Sequence, residues 1–144
     1  MKHFKIFTSG KMGGLSTDES LEWRSAIEKA IRLRAPKNVE LTFVNPPEFF
    51  DYDYPNQEEC EKWEIAQLID SDIVIVNLSN IKDSIGTHME MGIIKALNMI
   101  GNKFIYVVGL GKENVDHPWI SSSLFHKEET IEKVADYVCK YLLI

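Results

Sequence analysis

A chain of 144 residues with 44% hydrophobic content is the length of one ordinary domain and can bury most of its apolar surface around one core. Its 16 Lys and Arg against 22 Asp and Glu leave a formal charge of −6, which excludes the concentrated basic face that a nucleic-acid polymer requires. No apolar run reaches membrane-spanning length, Met1 leads straight into a strand-like segment, and Cys60 and Cys139 stand apart without metal-ligand spacing, so the expectation is a cytoplasmic protein with reduced thiols, no membrane partner and no metal.

Residues 3–8 read as a first strand, followed by a flexible loop holding Ser9, Gly10, Gly13 and Gly14. Ser16, Thr17 and Asp18 offer N-caps for a helix reaching about residue 33, and Pro36 closes that connection. Residues 39–44 form a second strand, after which Asn45-Pro46-Pro47 forbids further helix or central strand and opens a long loop rich in Asp, Tyr and Phe. Helical spacing through Trp63, Ile65, Ala66 and Leu68 marks residues 58–69, and DIVIVNL over 72–78 is the clearest buried strand. A helix from about Gly86 to Met99, a fourth strand over 103–108, a short fifth strand near 123–125 and a last helix over 128–141 complete the chain. The alternation, without repeat or linker, predicts a single α/β domain over 1–144, doubly wound and flavodoxin- or Rossmann-like, with a mostly parallel five-stranded sheet. Ligands of such sheets bind outside the carboxyl ends of the strands, which selects the loops 9–17, 79–87 and 109–122.

The most informative stretch runs DIVIVNLSNIKDSIGTHMEMGIIKAL. Asp83, Ser84, Gly86 and Thr87 place small and polar groups where a helix begins, and the free amides there favour an anionic or oxygen-rich ligand. Glu90 follows one turn later, on a face expected to hold Gly86, Glu90, Ile93 and Ile94, with Met91 and Leu97 on other sides. A carboxylate interrupting that apolar surface would lose water and gain strength as a base or nucleophile. Spacing alone equally fits a solvated Glu favoured by the helix dipole.

These residues carry a resemblance. Gly86-Thr87-His88-Met89-Glu90-Met91-Gly92, preceded by the DIVIVNL strand and by Asp83-Ser84, is similar to the signature of the nucleoside 2-deoxyribosyltransferase superfamily, which includes the 2′-deoxynucleoside 5′-monophosphate N-glycosidases. Ile6-Phe7-Thr8-Ser9-Gly10-Lys11-Met12-Gly13-Gly14 resembles the family's loop that touches base and sugar, and residues 63–72 resemble its helix leading into the central strand. The resemblance implies an enzyme without a cofactor that acts at an N-glycosidic bond, with Glu90 attacking the anomeric carbon to give a glycosyl-enzyme ester. It implies that Phe7, Ser9, Gly10, Lys11, Gly13, Gly14, Asp83, Ser84, Gly86 and Thr87 bind the substrate. It also implies a homo-oligomer, with Trp119 and Ser121 in a segment that reaches a neighbour's site.

The sequence departs from the family at two points: Glu64 stands where many relatives have an assisting Asp, and Leu15 stands where nucleotide hydrolases carry an Arg. A 2′-deoxyribosyl substrate is expected, the 5′-monophosphate slightly favoured through Lys11 and the helix N-terminus. Aromatic residues of the stretch 49–54 stack on a base or pack the loop onto the sheet, with Asp51 and Asp53 able to accept from an exocyclic amine. His88, two residues before Glu90, points away from it. Three alternatives remain: a phospho-acceptor signalling domain, against which Thr8-Ser9 and Asn77-Leu78 speak; a nucleotide sensor without turnover; and hydrolysis of an NAD-like dinucleotide, for which the Gly-x-Gly-x-x-Gly fingerprint is missing.

Overall fold

The computed structural model describes residues 1–50, 54–101, 103–113 and 115–144. Strands β1 (Lys2–Ser9), β2 (Val39–Val44), β3 (Ile73–Asn77), β4 (Tyr106–Leu110) and β5 (His126–Glu128) form one sheet in the order β2-β1-β3-β4-β5. Every pairing in it is parallel. The β-branched run of β3 suits its central place, since a parallel strand covered on both faces needs apolar side chains on both sides.

Alternate residues of the strands divide the core. Ile6, Ile73, Ile75, Val108 and Leu110 pack with Ile27 and Ile31 of α1 (Thr17–Arg34) and Val134 and Ala135 of α5 (Ile131–Tyr137). Phe7, Val74, Val76 and Val107 pack with Leu68 of α2 (Gln57–Ile69) and Met91 and Ile94 of α3 (Ile85–Ile100). Local chemistry fixes the helix ends. Ser16 and Glu19 form a reciprocal capping box at the start of α1, Asn56 caps α2, and Gly101 ends α3 at φ 91°, a conformation that costs glycine nothing. A one-turn helix α4 (Pro118–Ser121) precedes β5. No described helix is long and apolar enough to cross a membrane.

Three expected boundaries move. The fourth strand starts at Tyr106, because the Asn98 side chain binds both backbone groups of Ile105, at 2.8 and 2.9 Å, and keeps the preceding residues off the ladder. The fifth strand starts at His126, because the amides of Ser123 and Leu124 turn back to the carbonyls of Ile120 and Ser121. The last helix begins after Thr130, which caps it, and its final turn, Val138–Leu142, widens to π geometry. The long loop opens with a 3₁₀ turn at Pro46–Glu48, and the expectation for Asp51 and Asp53 lies outside the described residues.

The strand order has one reversal, between β1 and β3. The crossover after β1 runs through α1 to β2 on one side, while that after β3 runs through α3 to β4 on the other, over the opposite face of the sheet. The loops leaving these neighbouring strands therefore diverge and leave a crevice at their carboxyl ends.

Candidate active site

A cavity of about 420 Å³ fills this crevice, within the range of small-molecule sites. Its walls are the loop after β1 (Gly10, Lys11, Met12, Gly13), one side of α2 (Cys60, Glu61, Glu64) with Phe50 beside it, and the approach to and first turns of α3 (Asp83, Ser84, Gly86, Thr87, Met89, Glu90, Ile93).

Glu90 is held from β1. Ser9, buried at the strand's last position, donates through Oγ to Glu90 Oε1 at 3.1 Å. Glu90 as a residue is half-buried, yet its Oε2 is buried and has no hydrogen-bond partner. Loss of water pushes the carboxyl up to about 8, the charge of Glu64 adds to the rise, and Ser9 and Arg24 oppose it. Glu64 is itself raised by burial and drawn back by Arg24. Two desolvated carboxyl groups, one from α2 and one from α3, thus line the cavity within the electrostatic reach of the Arg24 cation of α1.

Arg24 lies behind the glycine loop, buried, with its guanidinium 4.7 Å from the Trp23 ring centroid. It donates to the carbonyls of Ser20 and Gly10, the latter at 3.1 Å. A Cβ at Gly10 would stand 2.9 Å from the Trp23 ring and 3.2 Å from Asn77 Cβ, so the chain can pass here only as glycine. Gly86 differs: a Cβ there meets nothing within 4 Å, so its small size leaves room at the cavity wall. The hydroxyls of Ser84 and Thr87 pair with each other, and α3 begins without a side-chain cap. Its first amides, carrying the positive end of the helix dipole, therefore stand at the cavity wall.

The structure brings together Gly10, Lys11, Gly13, Glu64, Asp83, Ser84, Gly86, Thr87 and Glu90. Ser9 stands one layer behind, as the support of Glu90. Phe7 is corrected: its side chain is wholly enclosed in the core between the sheet and α2–α3. Gly14 lies outside the cavity wall and takes the left-handed conformation of the turn, with a φ of 78°. Trp119 and Ser121 are not brought to the Glu90 cavity of the same chain. Trp119 lines a second cavity of about 320 Å³ with His88, Lys95 and His117, and Ser121 lines neither. On α3, Ile94 belongs to the buried stripe Thr87, Met91, Ile94, so the cavity face is Gly86, Met89, Glu90 and Ile93. His88, as expected, is on the other side.

Arg24 was not foreseen, although a signal existed: it falls at helical spacing within the buried stripe Ser20, Arg24, Ile27, Ile31, where a charge is out of place. Of the aromatic stretch, Phe50 stands at the cavity wall beside α2. It lines the cavity and also packs its ring 5.3 Å from Trp63 and 4.9 Å from Tyr54.

The strand order is flavodoxin-like and defines a doubly wound domain with a carboxylate-walled cavity at its switch point. No protein-family model and no curated protein sequence matches the chain. Among solved structures, it shares its fold with a conserved protein from Enterococcus faecalis V583, with a TM-score of 0.72 and 15% identity over 97% of this chain and 99% of that one. It also shares its fold with the 2-deoxyribosyltransferase of Bacillus psychrosaccharolyticus, with a TM-score of 0.65 and 19% identity over 92% of this chain and 91% of that one. At these identities the likeness is one of fold.

Proposed function

We propose that the protein is an enzyme of the nucleoside 2-deoxyribosyltransferase type, cleaving or exchanging the N-glycosidic bond of a 2′-deoxynucleoside or its 5′-monophosphate. The supporting observation is the state of Glu90: one carboxylate oxygen held by Ser9, the other buried without a partner, at the wall of a cavity of nucleoside size. In the proposed cycle the ionised Glu90 attacks the anomeric carbon as the bond to the base breaks, and Glu64 gives its proton to the departing nitrogen. The resulting ester is then opened by water or by a second base. A turn of the Glu90 side chain carries Oε2 to the sugar, and a single bond from Ser9 leaves that turn available.

The wall's charge bears on the substrate. Lys11 shares the cavity wall with Glu61, Glu64, Asp83 and Glu90, a balance of charge that disfavours a phosphate dianion, while the uncapped start of α3 favours one. We read the uncharged nucleoside as the better fit and the monophosphate as the competitor. Assembly is part of the same reading. Ile85 and Met89 at the cavity rim are 77% and 55% exposed, and Met99 and Ile100 at the far end of α3 are 81% and 74% exposed. The exposed apolar side chains at the cavity rim suit contact with a second copy of the chain.

Incubating the protein with deoxynucleosides and their 5′-monophosphates, with and without a free base, and separating the products by chromatography tests the reading. Release or exchange of base is expected, with higher kcat/KM for the unphosphorylated compound; intact substrates throughout the panel would sink it.

A further inference from the structure

The cavity on the Trp119 side of α3 has no part in the proposed chemistry, and at about 320 Å³ it falls within the range of small-molecule sites. Two elements build it: α3 supplies His88, Gly92 and Lys95, and the segment around α4 supplies His117, Trp119 and Ser123. No acidic side chain is among the described residues of its lining, although the chain as a whole carries a formal charge of −6. Hydrogen bonds join the two elements. The Lys95 ammonium donates to Ser122 Oγ at 2.6 Å and to the Trp119 carbonyl at 3.5 Å, and it stands 6.0 Å from the Trp119 ring centroid. These contacts leave donors over. An ammonium has three N–H groups, and Lys95 forms no ion pair among the described residues. His117 accepts the Trp119 amide at Nδ1, at 3.2 Å, so its proton resides on Nε2, which has no partner among the described residues. The His88 side chain has none there either. A lysine that merely held the end of α4 would need neither imidazole beside it.

We propose that this cavity is a second ligand site, for a planar ring that carries a phosphate: the phosphate oxygens accept from Lys95, His88 and His117, and the ring lies against the Trp119 indole. Charge-assisted hydrogen bonds to a dianion are the strong ones, and an aromatic face beside a cation receives a flat π-system. The carboxylates around Glu90 disfavour a dianion on their side, so it is across α3 that a phosphorylated ligand meets donors without partners. Lys95 keeps contact with solvent, so binding is reversible and weakens with salt. Trp119 is 75% exposed and retains surface for contact with a second copy of the chain. The site is defined by its own residues and does not depend on the reaction assigned to Glu90.

The test titrates the ¹⁵N-labelled full chain with adenosine 5′-monophosphate, phenyl phosphate, adenosine and inorganic phosphate. It follows the indole N–H of Trp119, which Trp119→Phe assigns among the three tryptophans. Both ring phosphates are expected to move that signal with a Kd in the millimolar range or below, and adenosine and inorganic phosphate to bind at least about fivefold more weakly. The tighter of the two ring phosphates names the spacer between ring and phosphate that the cavity takes. Lys95→Met should weaken the ring phosphates about tenfold and His88→Leu about threefold or more, with Lys95→Arg close to the parent. An indole signal that no probe moves, or that moves with protein concentration alone, would overturn the proposal. So would adenosine or inorganic phosphate binding as tightly as the ring phosphates, or unchanged affinity in the two weakened variants. Should Lys95→Met loosen the α4 segment, His88→Leu decides, because it breaks no side-chain hydrogen bond among the described residues. The titrations need no turnover, so a chain that cleaves no nucleoside would refute the proposed function and leave this result standing.

Discussion

Helix α3 separates two cavities of similar size, about 420 Å³ on the Glu90 side and about 320 Å³ on the Trp119 side. Both are lined by charged, aromatic and sulfur-bearing residues, yet the charges stand in different surroundings. On the first side Glu90 and Glu64 have lost their water and Arg24 is buried behind them. On the second, Lys95 binds Ser122 Oγ at 2.6 Å in contact with solvent, and Trp119 is 75% exposed. A charge that keeps its water has its ordinary strength and gains little from a partner. A charge that has lost its water is displaced in pKa and constrained in position, the condition for chemistry. The contrast teaches that residue type did not distinguish the two faces of α3; solvent access did.

The largest effect expected is on Glu90. Glu90→Gln should lower glycosidic turnover at least about a thousandfold, with the fold retained by circular dichroism, because the proposed nucleophile goes and the core does not. In the parent protein kcat/KM should pass through a maximum with pH, because the proposed cycle needs Glu90, raised to about 8, ionised and Glu64 protonated. Turnover in the variant within tenfold of wild type would erase the difference between the cavities.

Glu64→Gln should cost about 10²–10⁴ in kcat if Glu64 protonates the leaving base, with the greatest loss on the poorest leaving groups. A uniform loss across bases would instead make Glu64 a binding residue.

Trp119→Ala tests the other side. Its effect should come through assembly, about tenfold weaker self-association by light scattering, with activity falling in step as the protein is diluted. A large activity loss at every concentration would mean that Trp119 acts in the chemistry of its own chain.

The smallest effect concerns stability. The folded-state pKa of Glu90 lies near 8 against an ordinary value of 4.5, so between those values the native state holds a proton that the unfolded chain has released. Stability therefore falls as pH rises through that window. Glu90→Gln removes the penalty and should raise Tm by on the order of 3 °C, about 1 kcal/mol, at pH 8, with less gain at pH 5. A gain that ignores pH would show that the carboxyl is not strained by burial.

Much of the fold was legible because local patterns carry it: the β-branched run of β3, the Ser16 capping box and Gly101 after α3 each act within a few residues of themselves. Where boundaries moved, a distant partner intervened, as when Asn98 captured both backbone groups of Ile105. The Glu90 unit and the glycine loop were legible for the same reason, being continuous stretches next to strand ends. By itself, then, the sequence determined an α/β alternation, a carboxylate one turn into a helix, and small residues in the loop after β1 and at the start of α3. Only the tertiary structure decided that Ser9 would meet Glu90 across 81 residues of chain and that Phe7 would face the core. It alone placed Arg24 behind Gly10 and Trp119 across the helix from the site. The physical reason is that local propensity depends on neighbours in the chain, whereas burial, and with it the proton affinity of a carboxyl, depends on which distant segments exclude water from it.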